Sequence, residues 1–96
     1  MIYRLSLYIS GDSARSYAAI RHIETIAKAH LHEGYELEFV DVLKDPQRAE
    51  RDKILATPTL VREHPGPRKK IMGEFGDHAA VVTALDIEVY GSEGRS

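Results

Sequence analysis

The stretch Tyr3-Arg4-Leu5-Ser6-Leu7-Tyr8-Ile9-Ser10-Gly11-Asp12-Ser13 sets the reading of the whole chain. Tyr3, Leu5, Leu7 and Ile9 alternate with Arg4, Ser6 and Tyr8, and a period of two is a strand with one buried face. Ser10-Gly11-Asp12 breaks the strand, and Asp12 or Ser13 supplies an oxygen that can cap a following helix. Tyr17, Ile20, Ile23, Ala27 and Leu31 then recur at spacings of three and four, a helical stripe, and Gly34 suits its C-terminal cap.

Working outward, Tyr35–Leu43 reads as a second strand. Asp45-Pro46 opens a short polar helix or turn over 47–54, because Asp caps and Pro loses nothing at the first helical position. Thr57-Pro58-Thr59 leads into a third strand, Thr59–His64, and Arg68–Phe75 returns as a fourth. Between them Pro65-Gly66-Pro67 suits a tight turn in which Gly66 takes a positive φ. Gly76-Asp77 starts a last helix with Val81, Val82, Leu85 and Val89 on one stripe. Residues 91–96 offer nothing to bury and read as a flexible tail, leaving 1–90 as one domain.

The order is βαβαββα. Two strands joined by a long helix should be parallel with a right-handed crossover, and the last two should form an antiparallel hairpin. This is an α/β, thioredoxin-like arrangement, in which Thr57-Pro58 stands where that fold places a cis-proline.

Composition narrows the function classes. The 96 residues are 43% hydrophobic with a formal net charge of −2, which gives no global pull toward nucleic acid or an acidic membrane. There is no cysteine, so disulfides, thiolate catalysis and cysteine-ligated zinc are excluded. No apolar run reaches the roughly 18 residues of a membrane span, and the chain opens directly into a strand pattern. A soluble, cytoplasmic protein is the expectation.

The loop that would carry a redox dithiol reads Gly11-Asp12-Ser13-Ala14-Arg15-Ser16. Helix capping explains Ser13 more simply than glutathione-type chemistry does. Of the five histidines, His22, His30, His32, His64 and His78, the pair His30-x-His32 points in different directions on a helix and lacks a spaced third ligand. No metal and no cofactor is expected. Arg62, Arg68, Lys69 and Lys70 gather charge around the hairpin, either as a solvated edge or as a docking surface for an acidic partner. No aromatic platform is interleaved with them to stack bases.

The run Asp41-Val42-Leu43-Lys44-Asp45-Pro46-Gln47, with Ala49-Glu50 and residues 52–60 (Asp-Lys-Ile-Leu-Ala-Thr-Pro-Thr-Leu), closely resembles the KaiB family of circadian clock proteins. Leu7-Tyr8-Ile9-Ser10-Gly11, residues 68–73 and Leu85-Asp86-Ile87 resemble other segments of that family. The resemblance implies a non-enzymatic regulator that binds a KaiC-type ring ATPase. It also implies a second, βαββααβ state of the same chain that assembles as a tetramer, so a dimeric or tetrameric homo-oligomer is compatible with it. An alternative is a sensory or adaptor domain acting on a histidine kinase or a stress-response partner. Lys53, Lys69 and Lys70 correspond to partner-binding positions, Thr57 and Pro58 to fold-determining ones, and Ala84 and Asp86 to the switch region.

The departures from the family pattern carry expectations of their own. His64-Pro65-Gly66-Pro67 replaces a run of prolines, and Ala18 stands where relatives carry a basic residue. Ala84 replaces a glycine, and in a helix interior Ala is favoured by roughly 1 kcal/mol, which leans the chain toward the thioredoxin-like state. The acidic tail of cyanobacterial relatives is missing, which suggests a KaiA-independent homologue.

Overall fold

The alternating stretch Tyr3–Ile9 forms a central strand, β1, but both of its faces are covered rather than one: Ser6 and Tyr8 are buried along with Leu5 and Leu7. In the computed structural model, which describes residues 2–87, the order of elements is βαβαββα. After β1 come α1 (Ala14–His30), β2 (Tyr35–Asp41), α2 (Pro46–Arg51), β3 (Thr59–His64), β4 (Lys69–Met72) and α3 (His78–Ala84). The sheet order is β2-β1-β3-β4. β1 runs parallel to β2 from Tyr3↔Tyr35 to Ile9↔Asp41, and β3 runs antiparallel to both β1 and β4. This is the thioredoxin-like arrangement expected from the sequence. The tail at 91–96 and Val89 lie outside the described residues.

The sheet's two faces have different chemistry. Leu5, Leu7 and Leu60 pack with Ala19, Ile23, Ile26, Ala27 and Leu31, and α3 adds Val81, Val82 and Leu85. On the opposite face Tyr8, Val40 and Val61 form a smaller cluster with Val42 and Ile54. α2, six residues long, covers only part of that second face, and polar contacts complete the covering.

Local chemistry explains the boundaries. Ser13, not Asp12, caps α1: its Oγ accepts from the Ser16 N–H. Tyr17 is 51% exposed rather than part of the buried stripe, which runs instead through Ser16, Ala19, Ile23, Ile26 and Ala27. α1 ends at Leu31, whose N–H donates to the Ala27 carbonyl, three residues before the expected Gly34 cap. Gly34, at φ +120°, instead turns the chain into β2 and donates to the Leu31 carbonyl.

β2 stops at Asp41 rather than Leu43, because the Asp41 carboxylate accepts from the Leu43 and Gly11 N–H groups and its carbonyl accepts from Lys44 and Asp45. β4 is shorter than the expected 68–75, since Gly73 at φ +142° leaves the ladder and donates to the Pro58 carbonyl. Thr57-Pro58 is cis, as the topology suggested, and Pro58 is buried. His64-Pro65 and Gly66-Pro67 are cis as well, and Gly66 does not take the positive φ expected of it.

Candidate partner-binding surface

The face covered by α2 is held together by a polar relay under that helix. Asp45 caps α2 by accepting from the Arg48 N–H, with Pro46 in its first turn. One turn in, the Arg48 guanidinium forks onto both Glu38 oxygens at 2.7 Å and lies 5.8 Å above the Tyr8 ring. The buried Tyr8 hydroxyl donates to the Asp52 carboxylate, which Arg48, Arg51 and Arg68 approach to 3.8–4.0 Å. Burial, followed by the neighbouring Asp52, pushes the Tyr8 hydroxyl up to about 12. The Tyr8 hydrogen bond, ahead of the nearby arginines, holds Asp52 below the ordinary carboxylate value. The Arg48 fork does the same for Glu38 and raises Arg48 itself. The Leu43 N–H, then that of Gly11, lowers Asp41.

The exit of α2 creates the surface. Asp52 is the cap residue, Lys53 follows at φ +57°, the Lys53 N–H donates to the Glu50 carbonyl and the Ile54 N–H to the Ala49 carbonyl. That is a Schellman motif with lysine in the left-handed position that glycine usually takes. α3 ends the same way: Leu85 caps, Asp86 sits at φ +60° and donates to Thr83, and Ile87 donates to Val82. Two of the residues singled out from the sequence, Lys53 and Asp86, are thus structural equivalents at two helix exits, and both are exposed.

The three candidate lysines do not form one patch. Lys70 pairs with Val61 and lies on the α2 face, where its Nζ donates to the carbonyls of Asp52 and Lys53. It therefore places its charge at the C-terminal end of α2, beside Lys53. Lys69 pairs with Arg62 and lies on the α1/α3 face, partly buried. Leu43, 69% exposed, precedes α2 and lies by Gly11, while Leu55, beside Lys53, is 90% exposed. A shallow depression of about 600 Å³ opens there between Val42, Pro46, Ala49, Ile54 and Leu55. Exposed apolar side chains gathered beside two lysines fit protein recognition better than small-molecule chemistry.

The remaining candidates are structural in their surroundings. Thr57 is half-buried, and with Pro58, Ser10, Ser13, Arg15 and Ser16 it lines a small polar hollow of about 260 Å³ where a dithiol loop would sit. Ser13 and Ser16 are bonded to each other, and Ser16 Oγ also reaches the Ser10 carbonyl. Ala84 is exposed and is the last residue of α3 rather than an interior one, so the interior preference for Ala over Gly applies there only in part. Arg62, read from the sequence as edge charge, is 4% exposed and donates to the carbonyls of Leu85 and Pro67, tying the end of α3 and the hairpin turn to β3. Among the described residues no three His, Cys, Asp or Glu side chains converge as metal ligands, and no helix is long and apolar enough to cross a membrane.

Comparison with known proteins places the chain. A family model described as the KaiB domain matches residues 6–87. The circadian clock protein KaiB3 of Synechocystis is 43% identical over 91 residues, covering 95% of this chain and 89% of that one. The circadian clock oscillator protein KaiB of Gloeothece citriformis is 44% identical over 85 residues, covering 88% and 80%. Among solved structures, the N-terminal domain of Synechococcus elongatus SasA is similar with a TM-score of 0.74 at 22% identity, over 85% of this chain and 80% of that one. Oxidised mitochondrial thioredoxin 3 of Saccharomyces cerevisiae gives 0.69 at 18% identity, over 88% and 76%. The two structural likenesses speak to fold alone.

Proposed function

The chain belongs to the KaiB family, and from that premise we propose that it is a non-catalytic clock or timing regulator that docks on a KaiC-type ring ATPase. The observation that carries the docking is the exit of α2. Lys53, Lys70 and Leu55 stand exposed together there, at the end of a helix that is pinned by its own cap and by the Arg48 fork. Pre-organised apolar area with a charged margin is what a specific protein interface requires. Lys69, on the other face, falls outside this surface.

A fold switch belongs to the same proposal. The C-terminal half would exchange between the βαβαββα arrangement and the βαββααβ tetramer, with Thr57, Pro58, Ala84 and Asp86 at or beside the elements that change. The exit of α3 through a left-handed aspartate is a weaker helix stop than glycine would provide, which suits an element that must be released.

The test uses Lys53→Gly. Glycine removes the charge while suiting the left-handed backbone, so the fold should hold or gain stability as binding falls. The protein is mixed with a KaiC-type ATPase and ATP, and complex formation is followed by size exclusion over hours. A slowly forming complex that Lys53→Gly weakens at least several-fold is the expected result. A complex unaffected by Lys53→Gly would remove this surface from the interface. No complex with any KaiC-type ring would turn the reading toward an adaptor on a histidine kinase or another partner.

A further inference from the structure

His22, on α1, and His78, the first residue of α3, are 56 positions apart in sequence, yet their rings meet edge to face with centroids 5.1 Å apart. His22 Nδ1 and His78 Nε2 stand 2.9 Å from one another, and both residues are half-buried. One ring nitrogen donates to the other, so each histidine spends one nitrogen on the contact.

We propose that this pair is a bidentate site for a divalent transition metal ion, which would clip the start of α3 to α1. Imidazole nitrogen is a favoured ligand for nickel, copper and zinc. Two nitrogens each about 2.0–2.1 Å from one ion are roughly 2.9 Å apart when they subtend a right angle, and roughly 3.3 Å apart at a tetrahedral angle. The observed separation is that of a hydrogen bond, and it brings the two nitrogens within the span that one ion can bridge. The metal takes the place of the shared hydrogen. Both nitrogens must then turn from facing each other toward a common point, which the broad χ2 wells of histidine allow. The remaining coordination positions would be taken by water or by a ligand from a partner.

The site spans two elements that otherwise pack through apolar side chains of the core, so an ion bound there stabilises the fold in which α3 packs on α1. It is independent of the docking surface at α2, and its test needs no ATPase.

Nickel chloride is titrated into the folded protein. Binding is read by calorimetry, by paramagnetic broadening of the histidine ring protons in NMR spectra, and by thermal unfolding followed by circular dichroism. The expected result is one ion per chain, with the His22 and His78 resonances broadened first and a melting temperature that rises with nickel concentration. All three should be lost in His22→Gln and in His78→Gln. A His30→Gln/His32→Gln double variant should bind as the parent does, and circular dichroism spectra would confirm that each variant is folded. Binding that survives both single variants, binding lost in the His30/His32 variant, or no binding at millimolar nickel would each overturn the site and leave a hydrogen-bonded pair.

Discussion

Replacing Tyr8 by Phe tests the relay beneath α2. The ring would keep its place among Val40 and Val61 under the Arg48 guanidinium, so the substitution removes one hydroxyl and creates no cavity of consequence. A hydrogen bond to a charged group contributes about 1.5–3 kcal/mol. Asp52 would retain three arginines at 3.8–4.0 Å, so it is not orphaned and the lower half of that range applies. The expected loss near pH 7 is about 2 kcal/mol, or roughly 8–16 °C in melting temperature for a chain this short.

The pH dependence gives a second handle. The folded Asp52 value lies below its unfolded value of 3.8, so its contribution is fully present above that value and is lost as pH falls through the folded one. Removing the hydroxyl removes the largest cause of that lowering. The gap between parent and variant should therefore narrow steadily as the solution is acidified below about pH 4. Urea unfolding followed by circular dichroism at pH 7, 5 and 3 provides the measurement. A difference under 0.5 kcal/mol at pH 7 (within the scatter of surface substitutions), or one equally large at pH 3, would refute the relay as a stabilising charged hydrogen bond.

Two further outcomes follow from the C-terminal end of α3. Asp86→Gly should raise stability by about 0.5–1 kcal/mol, since it relieves a left-handed residue and offsets this only partly through unfolded-state entropy; a lower urea midpoint would contradict the cap. Arg62→Ala should cost at least about 2 kcal/mol by leaving the Leu85 and Pro67 carbonyls unpaired, and should speed amide exchange in α3 more than in α1; equal acceleration in both helices would argue against a specific tie.

The strands and the first helix cap were readable because their signals are local. Alternation in Tyr3–Ile9 and a short polar oxygen at Ser13 act over a few residues. The helix exits were not readable, because the rule for a left-handed stop looks for glycine while α2 and α3 stop on Lys53 and Asp86. Tyr17 fitted the helical period but faces outward, and the stripe begins instead at Ser16, a residue buried for its hydrogen bonds. Lys69 and Lys70 are adjacent in a strand, and pleating sends neighbours to opposite faces, so clustering in sequence could not mean clustering in space. Arg62 carries the same lesson, since its position in a charged run hid a guanidinium that spans from β3 to two carbonyls. His22 and His78 meet only through tertiary packing, for which no spacing rule exists.

Asp52 joins stability to recognition. Its carboxylate receives Tyr8 from the central strand, while its carbonyl receives Lys70 from the edge strand beside Lys53. A partner that draws Lys70 toward itself acts on the residue that anchors α2 to β1. Tyr8→Phe should therefore disturb both stability and the placement of Lys70, whereas Lys53→Gly removes a contact charge and leaves the anchor intact. If docking depends on a helix held in place, the first variant should slow or weaken complex formation in proportion to its loss of stability. The second should weaken the complex without any such loss. A Tyr8→Phe variant that binds as the parent does, while Lys53→Gly weakens the complex, would mean that the surface acts through charge alone and that the relay beneath it serves only the fold.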